Sequence, residues 1–367
     1  MKKKLLVISA INFIEGGPLT VLYSLLNTLT SINSNSYRII ILINKKELLK
    51  DYKFEYIEFK KSKKSWFFRL YYEYIYFYFL SRRIKPYIWF SLHDITPFVK
   101  ATYKLLYCHN PAPFYNSKLK EFFVCPKFYL FSKFYIFLYK FNINSNDYVV
   151  VQQEWLRNKF SNFFNKSNII VSYPVTSSQM PINISIEKSF KDEKLILFYP
   201  AFPRSFKNFE VLCEGLSLLK SKYQEKIKLR LTLDGTENRY SRYIHKMYKS
   251  CSSITFIGLQ NKIQINNEYN NASVIVFPSK LETWGLPISE AKDFNKPLLV
   301  SDLHYARETV GNYDMVSFLS PDDPQEWADC CKAICDGKFQ FSGNTLVNPS
   351  EPFAKDWDSL SSFVLKL

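Results

Sequence analysis

The chain has 367 residues, 47% of them hydrophobic and 18% aromatic, and a formal net charge of +16. This length suits two medium α/β domains, and the apolar fraction excludes a largely disordered protein. The positive balance favours an acidic partner, either a nucleic acid or an anionic membrane surface, although an AT-rich gene would produce part of the same bias. The seven cysteines lack paired metal-binding spacing and predict reduced thiols in a cytosolic protein.

The N-terminal half begins with the pattern of a βαβ unit. Residues 5–10 form an apolar strand, too short for a secretory signal core, and the loop at 12–18 contains two glycines. Leucines between 19 and 29 then have helical spacing, and a second apolar strand follows at 38–43. This order predicts a parallel sheet. Further strands are predicted at Ile88–Ser91, Tyr103–Cys108 and Tyr148–Val151.

Two aromatic segments in this half, Trp66–Phe90 and Phe122–Phe141, are interrupted by basic residues. Their apolar runs fall short of the ~20 residues that a membrane-spanning helix needs. One interpretation is a pair of amphipathic helical segments packed on the N-terminal sheet. The other is an aromatic and basic face in a membrane interface, and one helix can do both. The interrupting residues include Arg82, Arg83, Lys127, Lys133 and Lys140.

A second α/β series follows residues 174–193, whose Pro, Ser, Asn and Lys content predicts an interdomain linker. The series starts with the strand Leu195–Tyr199 and a helix from Asn208 to Lys220. Strands and helices then alternate, which predicts a second parallel sheet. Its further strands are predicted at Lys228–Leu233, Ile254–Ile257, Ser273–Phe277, Pro297–Ser301 and Met315–Leu319.

The stretch Val276–Ala291 is the most informative part of the chain. A strand ends at Phe277, a tight loop follows, and Pro287 suits the first position of a helix. Free backbone amides over Gly285–Ile288 would favour an anion at that helix start. Because open α/β sheets bind ligands at the carboxyl ends of their strands, this loop is a candidate ligand site.

Two carboxylates lie in this stretch, Glu282 ahead of the glycine turn and Glu290 in the first helical turn. Each alone has an ordinary structural explanation, as a solvated loop acid or as a partner of the helix dipole. Together they are separated by seven residues within a Pro-Ser…Glu-x-x-Gly-Leu-Pro…Glu-Ala context. This pattern resembles the signature of the retaining glycosyltransferases of family 4, as found in enzymes of polysaccharide and O-antigen assembly.

The resemblance implies an α/β fold of the GT-B type, in which two Rossmann-like domains have parallel sheets that face each other across a cleft. We expect an acceptor-binding domain over residues 1–180 and a nucleotide-sugar-binding domain over 181–345. Residues 346–367 are expected to form a helix that crosses back to the first domain.

The same resemblance assigns roles within the motif. Glu282 would act at the reacting centre by holding donor-sugar hydroxyls, and Glu290 would hold the nucleotide ribose. The turn and helix start would bind the donor diphosphate. The residues of that turn are Gly285, Leu286 and Pro287.

Further resemblance lies in the N-terminal half. Glu15–Pro18 is similar to the family's glycine loop, so Gly16 and Gly17 would approach the donor phosphates, with an ordinary β-to-α turn as the alternative. His109 comes just after a predicted strand, as a family histidine does near the donor sugar. A structural histidine is the alternative there.

In the C-terminal half, Tyr199–Asn208 resembles the segment in which the family carries an arginine and a lysine for the diphosphate. Lys207 aligns with the lysine, whereas Arg204 precedes it by three residues instead of the commoner five. Both cations would offset negative charge on the leaving diphosphate. Gly235 and Gly258 match, more loosely, the loops that approach the ribose and the base.

We expect neither a metal nor another cofactor. The only Asp-x-Asp, at Asp356–Asp358, lies far from any predicted strand end, and the four histidines have no ligand spacing. The resemblance implies transfer with retention of configuration. The diphosphate would leave with help from the cations and helix-start amides, and the acceptor hydroxyl would attack from the same face.

Three functions remain open from the sequence. A transferase that acts on a lipid-linked glycan, cytoplasmic and peripheral on the inner face of the plasma membrane, accounts for the motifs and the aromatic basic segments together. A transferase with a soluble acceptor, such as a glycogen- or sucrose-type enzyme, accounts for the motifs alone. A nucleic-acid-binding protein accounts only for the charge and lacks a recognition motif, so we expect no nucleic-acid partner.

Overall fold

A computed structural model describes residues 3–32, 36–174 and 194–367. The chain divides into two compact units. The first comprises Met1–Phe114, Ser132–Val175 and Pro349–Leu367, and the second comprises Tyr115–Phe131 and Thr176–Asn348. Apart from Pro174, the predicted linker at 174–193 lies outside the described residues. The division differs from the expected boundaries chiefly because residues 115–131 belong to the second unit.

The strands are short and largely apolar. In chain order they are β1 Lys4–Ala10, β2 Tyr37–Ile43, β3 Glu55–Glu58, β4 Ile88–Ser91, β5 Tyr103–Cys108, β6 Tyr148–Val151, β7 Ile169–Ser172, β8 Leu195–Tyr199, β9 Ile227–Leu231, β10 Ile254–Phe256, β11 Val274–Phe277, β12 Leu298–Ser301, β13 Val316–Leu319 and β14 Phe353–Ala354.

The helices alternate with these strands. In chain order they are α1 Gly16–Ser31, α2 Trp66–Tyr71, α3 Phe77–Ile84, α4 Leu119–Val124, α5 Pro126–Lys140, α6 Glu154–Phe164, α7 Phe209–Leu218, α8 Ser221–Gln224, α9 Arg239–Tyr248, α10 Lys262–Asn271, α11 Leu286–Asp293, α12 His304–Val310, α13 Pro324–Cys335 and α14 Trp357–Lys366. A π-helical turn, Tyr72–Tyr76, joins α2 to α3, and a 3-10 turn at Ser205–Lys207 precedes α7.

The first unit contains a parallel sheet in the order β14-β7-β6-β5-β4-β1-β2-β3. Residues 6–10 of β1 are all buried, as expected for a parallel strand covered on both faces. Leucines of α1 pack in one core cluster with Trp357, Leu360 and Val364 of α14. The Thr28 hydroxyl donates to Asp358 at 2.9 Å, so this aspartate has a structural partner in α1.

The second unit contains a parallel sheet in the order β10-β9-β8-β11-β12-β13. The two parallel α/β units are those that the sequence predicts. In each sheet the strand order reverses once, between β1 and β4 in the first unit and between β8 and β11 in the second. Such a switch point leaves a crevice at the carboxyl ends of the strands, where α/β proteins bind ligands.

The aromatic segments are helical, as predicted, but they differ in what they pack against. Phe77 of α3 is buried in a core cluster with Trp89 of β4 and Phe59. The start of the second segment belongs to the second unit, which includes residues 115–131. Within the described ranges, no helix combines the length and apolar character needed to cross a bilayer.

Candidate active site

The switch point of the second sheet brings together Lys207 and Glu282. Lys207 ends the 3-10 turn after β8, and Glu282 lies in the loop after β11. The Lys207 Nζ atom is 2.5 Å from Glu282 Oε1, and each side chain is 15% exposed. The ammonium also lies 5.2 Å from the centre of the Phe277 ring, within cation–π range. A cation and a carboxylate, both reachable by solvent, therefore meet at the expected ligand-binding edge.

The backbone around this pair is held by hydrogen bonds between the two loops. Asn208 has a left-handed backbone with φ of 56°, which an Asn tolerates better than most residues. The side-chain amide nitrogen of Asn208 donates to the carbonyls of Pro278 at 3.2 Å and Pro321 at 2.7 Å. The Lys280 amide donates to the Phe206 carbonyl at 2.7 Å. The loops that carry Lys207 and Glu282 are therefore joined to each other.

Two buried tyrosines lie beside the pair. Tyr199 donates its hydroxyl to the Lys207 carbonyl at 2.8 Å, and Tyr305 donates to the Ser279 carbonyl at 2.7 Å. Burial first, and then the negative charge of Glu282, raise the pKa of Tyr199 and of Tyr305 well above the usual tyrosine value. Both phenols therefore stay neutral and support the loops as hydrogen-bond donors.

Arg204 precedes the 3-10 turn and is exposed. Its guanidinium lies 5.9 Å from the centre of the Phe202 ring. The arginine is thus placed on the same loop as Lys207, with its charged end accessible to an anion from solvent.

The turn before α11 requires glycine. Gly285 has φ of 85°, and an added Cβ would lie 3.3 Å from Phe277 and 3.4 Å from Ile288. The expectation of free amides throughout this turn is corrected in part. Pro287 has no amide hydrogen, and the Ile288 amide donates to the Gly285 carbonyl at 2.9 Å. The start of α11 therefore offers the amides of Gly285 and Leu286, fewer than expected.

Glu290 lies in the second turn of α11, and not in the first turn as expected, because the helix begins at Leu286. It has its own partner. The hydroxyl of buried Tyr269 donates to Glu290 Oε2 at 2.7 Å and to the Pro287 carbonyl at 3.3 Å. Burial, followed by the charge of Glu290, raises the pKa of Tyr269 well above its usual value. A neutral phenol thus orients one carboxylate oxygen of Glu290. Glu282 and Glu290 are therefore fixed by different partners, a lysine and a tyrosine.

The two outer glycines lie at the ends of β9 and β10. Gly235 has φ of 95°, and its amide donates to the Glu237 carboxylate at 3.1 Å. Gly258 has φ of 68°, and an added Cβ would lie 3.0 Å from Asp234. The loops after β9 and β10 therefore contact each other. The Gly235 amide already has an acidic partner within the chain.

In the first unit, the strand ends bring Asp94 next to His109. Asp94 Oδ1 accepts hydrogen bonds from the His109 amide at 2.8 Å, the Asn110 amide at 3.1 Å and the Tyr139 hydroxyl at 3.0 Å. The His109 ring, 18% exposed, has its Nδ1 atom 3.6 Å from the same oxygen. It also packs edge-on against Phe13 at 5.4 Å between ring centres. One buried carboxylate thus fixes the loop that carries His109.

A second group of polar residues lies beneath this loop. The Ser9 Oγ atom is 2.9 Å from His93 Nε2, and His93 Nδ1 is 3.3 Å from Glu73 Oε1. Arg69 donates to the His93 carbonyl at 2.9 Å, and its Nε lies 3.4 Å from Glu73 Oε1. The order Ser, His, Glu has the connectivity of a hydrolase triad. All three residues are fully buried, however, so the serine cannot reach a substrate.

The electrostatics of this buried group favour neutral side chains. Burial raises the pKa of Glu73 to about 8, although the nearby Arg69 opposes the rise. Burial, with the charge of Arg69 acting in the same direction, holds the pKa of His93 well below its usual value. The group therefore stabilises the turn between His93 and Asp94 and is not a source of catalytic charge.

Gly16 and Gly17 begin α1, which follows the end of β1. Both are exposed, and an added Cβ would meet no atom within 4 Å at either position. Only Gly16, with φ of 67°, has a backbone that favours glycine. The open space above both glycines permits a ligand to approach the backbone closely.

The structure therefore brings together part of the predicted set, in the second unit. Lys207 and Glu282 are in direct contact, while Arg204 and Gly285 lie on the loops that carry them. Sequence reasoning missed Asp94, Tyr139 and the buried residues Arg69, Glu73 and His93. The pair His93–Asp94 directly after a strand was the available signal, since polar residues at strand ends often contact ligands. Nothing in the spacing pointed to Tyr139.

In the part of the chain that the structure describes, no group of three or more His, Cys, Asp or Glu residues could hold a metal ion. Asp356 accepts from the Ser359 amide at 2.7 Å and caps α14. Together with the Thr28 contact of Asp358, this gives both acids of the Asp-x-Asp a structural role.

Sequence comparison identifies related proteins. Residues 180–338 match the family described as "Glycosyl transferases group 1". Over 270 residues, 69% of this chain and 72% of its relative, the chain is 21% identical to the O-antigen chain mannosyltransferase RfbU of Salmonella typhimurium.

Comparison of folds gives matches over nearly the whole chain. A glycosyltransferase from Rickettsia africae has a TM-score of 0.63 at 16% identity, covering 91% of this chain and 89% of its own. The lipopolysaccharide outer core galactosyltransferase WaaB has a TM-score of 0.62 at 15% identity, covering 92% of both. Alr3699/HepE of Anabaena, in complex with UDP and glucose, has a TM-score of 0.59 at 12% identity, covering 91% of both. These likenesses confirm the GT-B fold.

Proposed function

We propose that this chain is a retaining, metal-independent glycosyltransferase of family 4 that transfers a sugar from a nucleotide-sugar donor to a lipid-linked glycan in surface polysaccharide assembly. The observation that carries the proposal is the contact between Lys207 and Glu282 at the switch point of the second sheet. The match of residues 180–338 to group 1 glycosyl transferases supports it independently, as do the O-antigen relative and the lipopolysaccharide galactosyltransferase.

In this proposal the donor diphosphate binds beside Lys207 and Arg204. The phosphates compete with Glu282 for the Lys207 ammonium, so donor binding frees the carboxylate to accept hydrogen bonds from sugar hydroxyls. The helix-start amides of Gly285 and Leu286 add dipolar stabilisation of the anion. Glu290, oriented by Tyr269, binds the ribose, with Gly235 and Gly258 near the nucleoside.

We propose a transfer step with retention of configuration at this site. The bond between the anomeric carbon and the diphosphate oxygen breaks, and its electron pair goes to the diphosphate. The acceptor oxygen forms the new bond from the same face, and its proton passes to the departing phosphate oxygen. His109 contacts the sugar or phosphate near the reacting carbon, and the glycines Gly16 and Gly17 permit close approach of the donor. Lys207 and Arg204 supply the positive charge at the leaving group, so no metal takes part in this scheme.

The lipid-linked acceptor is proposed from the surface of the first unit. Phe67 and Phe79 are exposed on α2 and α3, and Phe134 and Phe137 are exposed on α5. Trp66 of α2 contacts Tyr135 of α5 at 6.1 Å between ring centres, so these two helices touch within the unit. Exposed basic residues accompany these rings, which matches an anionic membrane surface at the cytoplasmic side. They are Lys63, Lys64, Arg82, Arg83, Lys133 and Lys140.

The decisive experiment measures thermal stability with GDP, UDP, dTDP and ADP. A ligand at about 100 times its dissociation constant adds about 2.7 kcal/mol to the free energy of unfolding, which is visible as a melting shift. We expect one nucleotide to stabilise the protein and Lys207→Ala to remove the effect. If no nucleoside diphosphate raises the melting temperature, the donor assignment fails. The metal-free scheme predicts that the melting shift and the turnover both survive treatment with EDTA.

A further inference from the structure

The segment of residues 115–131 supports the loop that carries the two candidate diphosphate-binding cations. The Ser205 hydroxyl, within the 3-10 turn, donates to Glu121 Oε2 at 3.0 Å. Phe128 packs against Phe206 with 5.0 Å between ring centres. Tyr115 also lies edge-on to Phe206, with 6.4 Å between ring centres. Three residues of the segment thus contact two adjacent residues of the loop, all within the second unit.

Glu121 is fixed on its other side as well. Its Oε1 atom accepts from the Lys118 amide at 3.0 Å and from the Tyr115 hydroxyl at 3.2 Å. The side chain is nine-tenths buried, and a carboxylate is costly to bury unless its oxygens accept hydrogen bonds. The donors of these hydrogen bonds are two hydroxyls and a backbone amide, all of them neutral groups. The carboxylate therefore has defined partners in the segment and in the loop at once.

These contacts are made between the two cations of the loop. Ser205 lies directly between Arg204 and Phe206, and Lys207 follows. Because the Ser205 hydroxyl is already engaged by Glu121, Ser205 positions the turn and is not itself needed as a phosphate ligand. The Phe206 carbonyl accepts from the Lys280 amide, which links the same turn to the loop of Glu282. A shift of Ser205 would therefore move both cations relative to Glu282.

We propose that Glu121 is a positioning residue for the donor diphosphate, which it influences through Ser205 by holding Arg204 and Lys207 in place. This inference rests on the proposed function, because it assumes that these cations bind a nucleoside diphosphate. It assigns a role in donor binding to a segment that lies in the N-terminal half of the sequence.

The test measures affinity for UDP and GDP, and for UMP and GMP, by isothermal titration calorimetry on the full chain. The comparison uses the base that wild type binds. Glu121→Ala weakens the affinity for the nucleoside diphosphate about tenfold and the affinity for the monophosphate much less, so the ratio of the two affinities falls. Glu121→Gln, which keeps an oxygen acceptor, restores most of the ratio. Ser205→Ala lowers it as Glu121→Ala does.

Glu326→Ala is the matched control. Glu326 is also an acid in the first turn of a helix and also accepts a backbone amide, that of Ser320 at 2.7 Å, but it lies outside the loop of the cations. This variant is expected to lower the melting temperature and leave the affinity ratio unchanged. A ratio equal to wild type in both Glu121→Ala and Ser205→Ala overturns the inference and spares the proposed function. Absence of diphosphate binding in wild type overturns both. If Glu121→Ala does not fold, the Ser205→Ala ratio decides.

Discussion

The two sheets place charged residues at their switch points in opposite ways. In the second unit, Lys207 and Glu282 form an ion pair with both side chains partly exposed. In the first unit, Arg69 and Glu73 also approach each other, at 3.4 Å, but they are almost completely buried. The same pairing of a basic with an acidic side chain therefore occurs in two environments. The difference teaches that proximity alone does not identify a reactive pair.

Solvent access explains why the two pairs differ in chemistry. An ion pair that water can reach exchanges partners with an incoming anion at small cost, because its charges remain solvated. A buried pair loses hydration that cannot be recovered, and its groups shift toward neutrality instead. The raised pKa of Glu73 is an instance of this effect. Under the proposed function, donor binding belongs to the Lys207–Glu282 pair, and support of the His109 loop belongs to the Arg69–Glu73 pair.

The largest expected effect comes from the accessible pair. Glu282→Gln should lower kcat about 1,000-fold, because a group that contacts the donor sugar in the transition state is lost. Far-ultraviolet circular dichroism and melting temperature should stay close to wild type. Sugar transfer from the donor identified by the nucleotide screen is the measurement.

Asp322→Asn is the control for Glu282→Gln. Asp322 also pairs with a loop lysine, Lys280, at 2.7 Å, but its side chain is 63% exposed. It should retain wild-type kcat. Equal activity of Glu282→Gln and Asp322→Asn would contradict the role given to Glu282.

Fully exposed charges extend the comparison to the protein surface. Lys127, Lys133 and Lys140 are exposed along α5, and each basic residue near an anionic membrane adds about 1 kcal/mol of attraction. Changing all three to Glu should reduce binding to phosphatidylglycerol vesicles about 100-fold while sparing nucleotide binding. Cosedimentation at several salt concentrations measures this, since binding should weaken with salt.

The matched variant carries the same charge change elsewhere. Lys220, Lys246 and Lys249 are exposed in the second unit, and their replacement by Glu should leave most vesicle binding intact. Equal loss of vesicle binding in both triple variants would show that net charge alone accounts for the effect. Absence of vesicle binding by wild type would favour a soluble acceptor.

The buried side of the first unit should affect catalysis less strongly. Asp94→Ala removes the acceptor for two amides and the Tyr139 hydroxyl, and it places alanine at φ of 66°, so kcat should fall about tenfold. Asp94→Asn keeps an oxygen acceptor and a residue suited to that backbone, so its kcat should fall less. Steady-state kinetics decides, and unchanged kcat in Asp94→Ala would separate the His109 loop from catalysis.

The smallest expected effect concerns pH. The pKa of Glu73 is about 8 in the folded chain and near 4.5 when unfolded, so the folded state binds the extra proton between these values. Its stabilising contribution is complete below about pH 4.5 and is lost as the pH rises through about 8. The free energy of unfolding should therefore fall by about 1 kcal/mol between pH 7 and pH 8.

Neighbouring groups set the choice of that pH window. The lowered pKa of His93 acts in the opposite sense, but only up to about its unfolded value of 6.5. Urea unfolding at pH 7 and pH 8 should show a smaller difference in Glu73→Gln than in wild type. Glu55→Gln, at an exposed pair with Arg38, should retain the wild-type difference. If the free energy of unfolding changed equally between pH 7 and pH 8 in all three proteins, Glu73 would not hold the proton.

Much of the fold was predictable because its signals are local. The strands Tyr103–Cys108, Tyr148–Val151 and Leu195–Tyr199 have the predicted bounds, since parallel strands are continuous apolar runs. The short strands β3, β7 and β14 were not predicted. In β3, Glu55 and Glu58 interrupt the apolar pattern, and β14 has only two residues, so each depends on pairing with a neighbouring strand.

For the candidate site, the sequence by itself determined the glycine turn at Gly285, the positions of Glu282, Glu290 and Lys207, and a histidine after a strand. These features depend on residue type and on neighbours a few positions away. Only the tertiary structure decided that Lys207 pairs with Glu282, that Tyr269 orients Glu290 and that Asp94 fixes the His109 loop. Those partners are 21 or more residues apart for the first two pairs and 15 for the third. The Lys207–Glu282 and Asp94–His109 contacts arise because parallel strands end at one edge of a sheet, whatever their separation along the chain. The Tyr269–Glu290 contact instead joins helices α10 and α11.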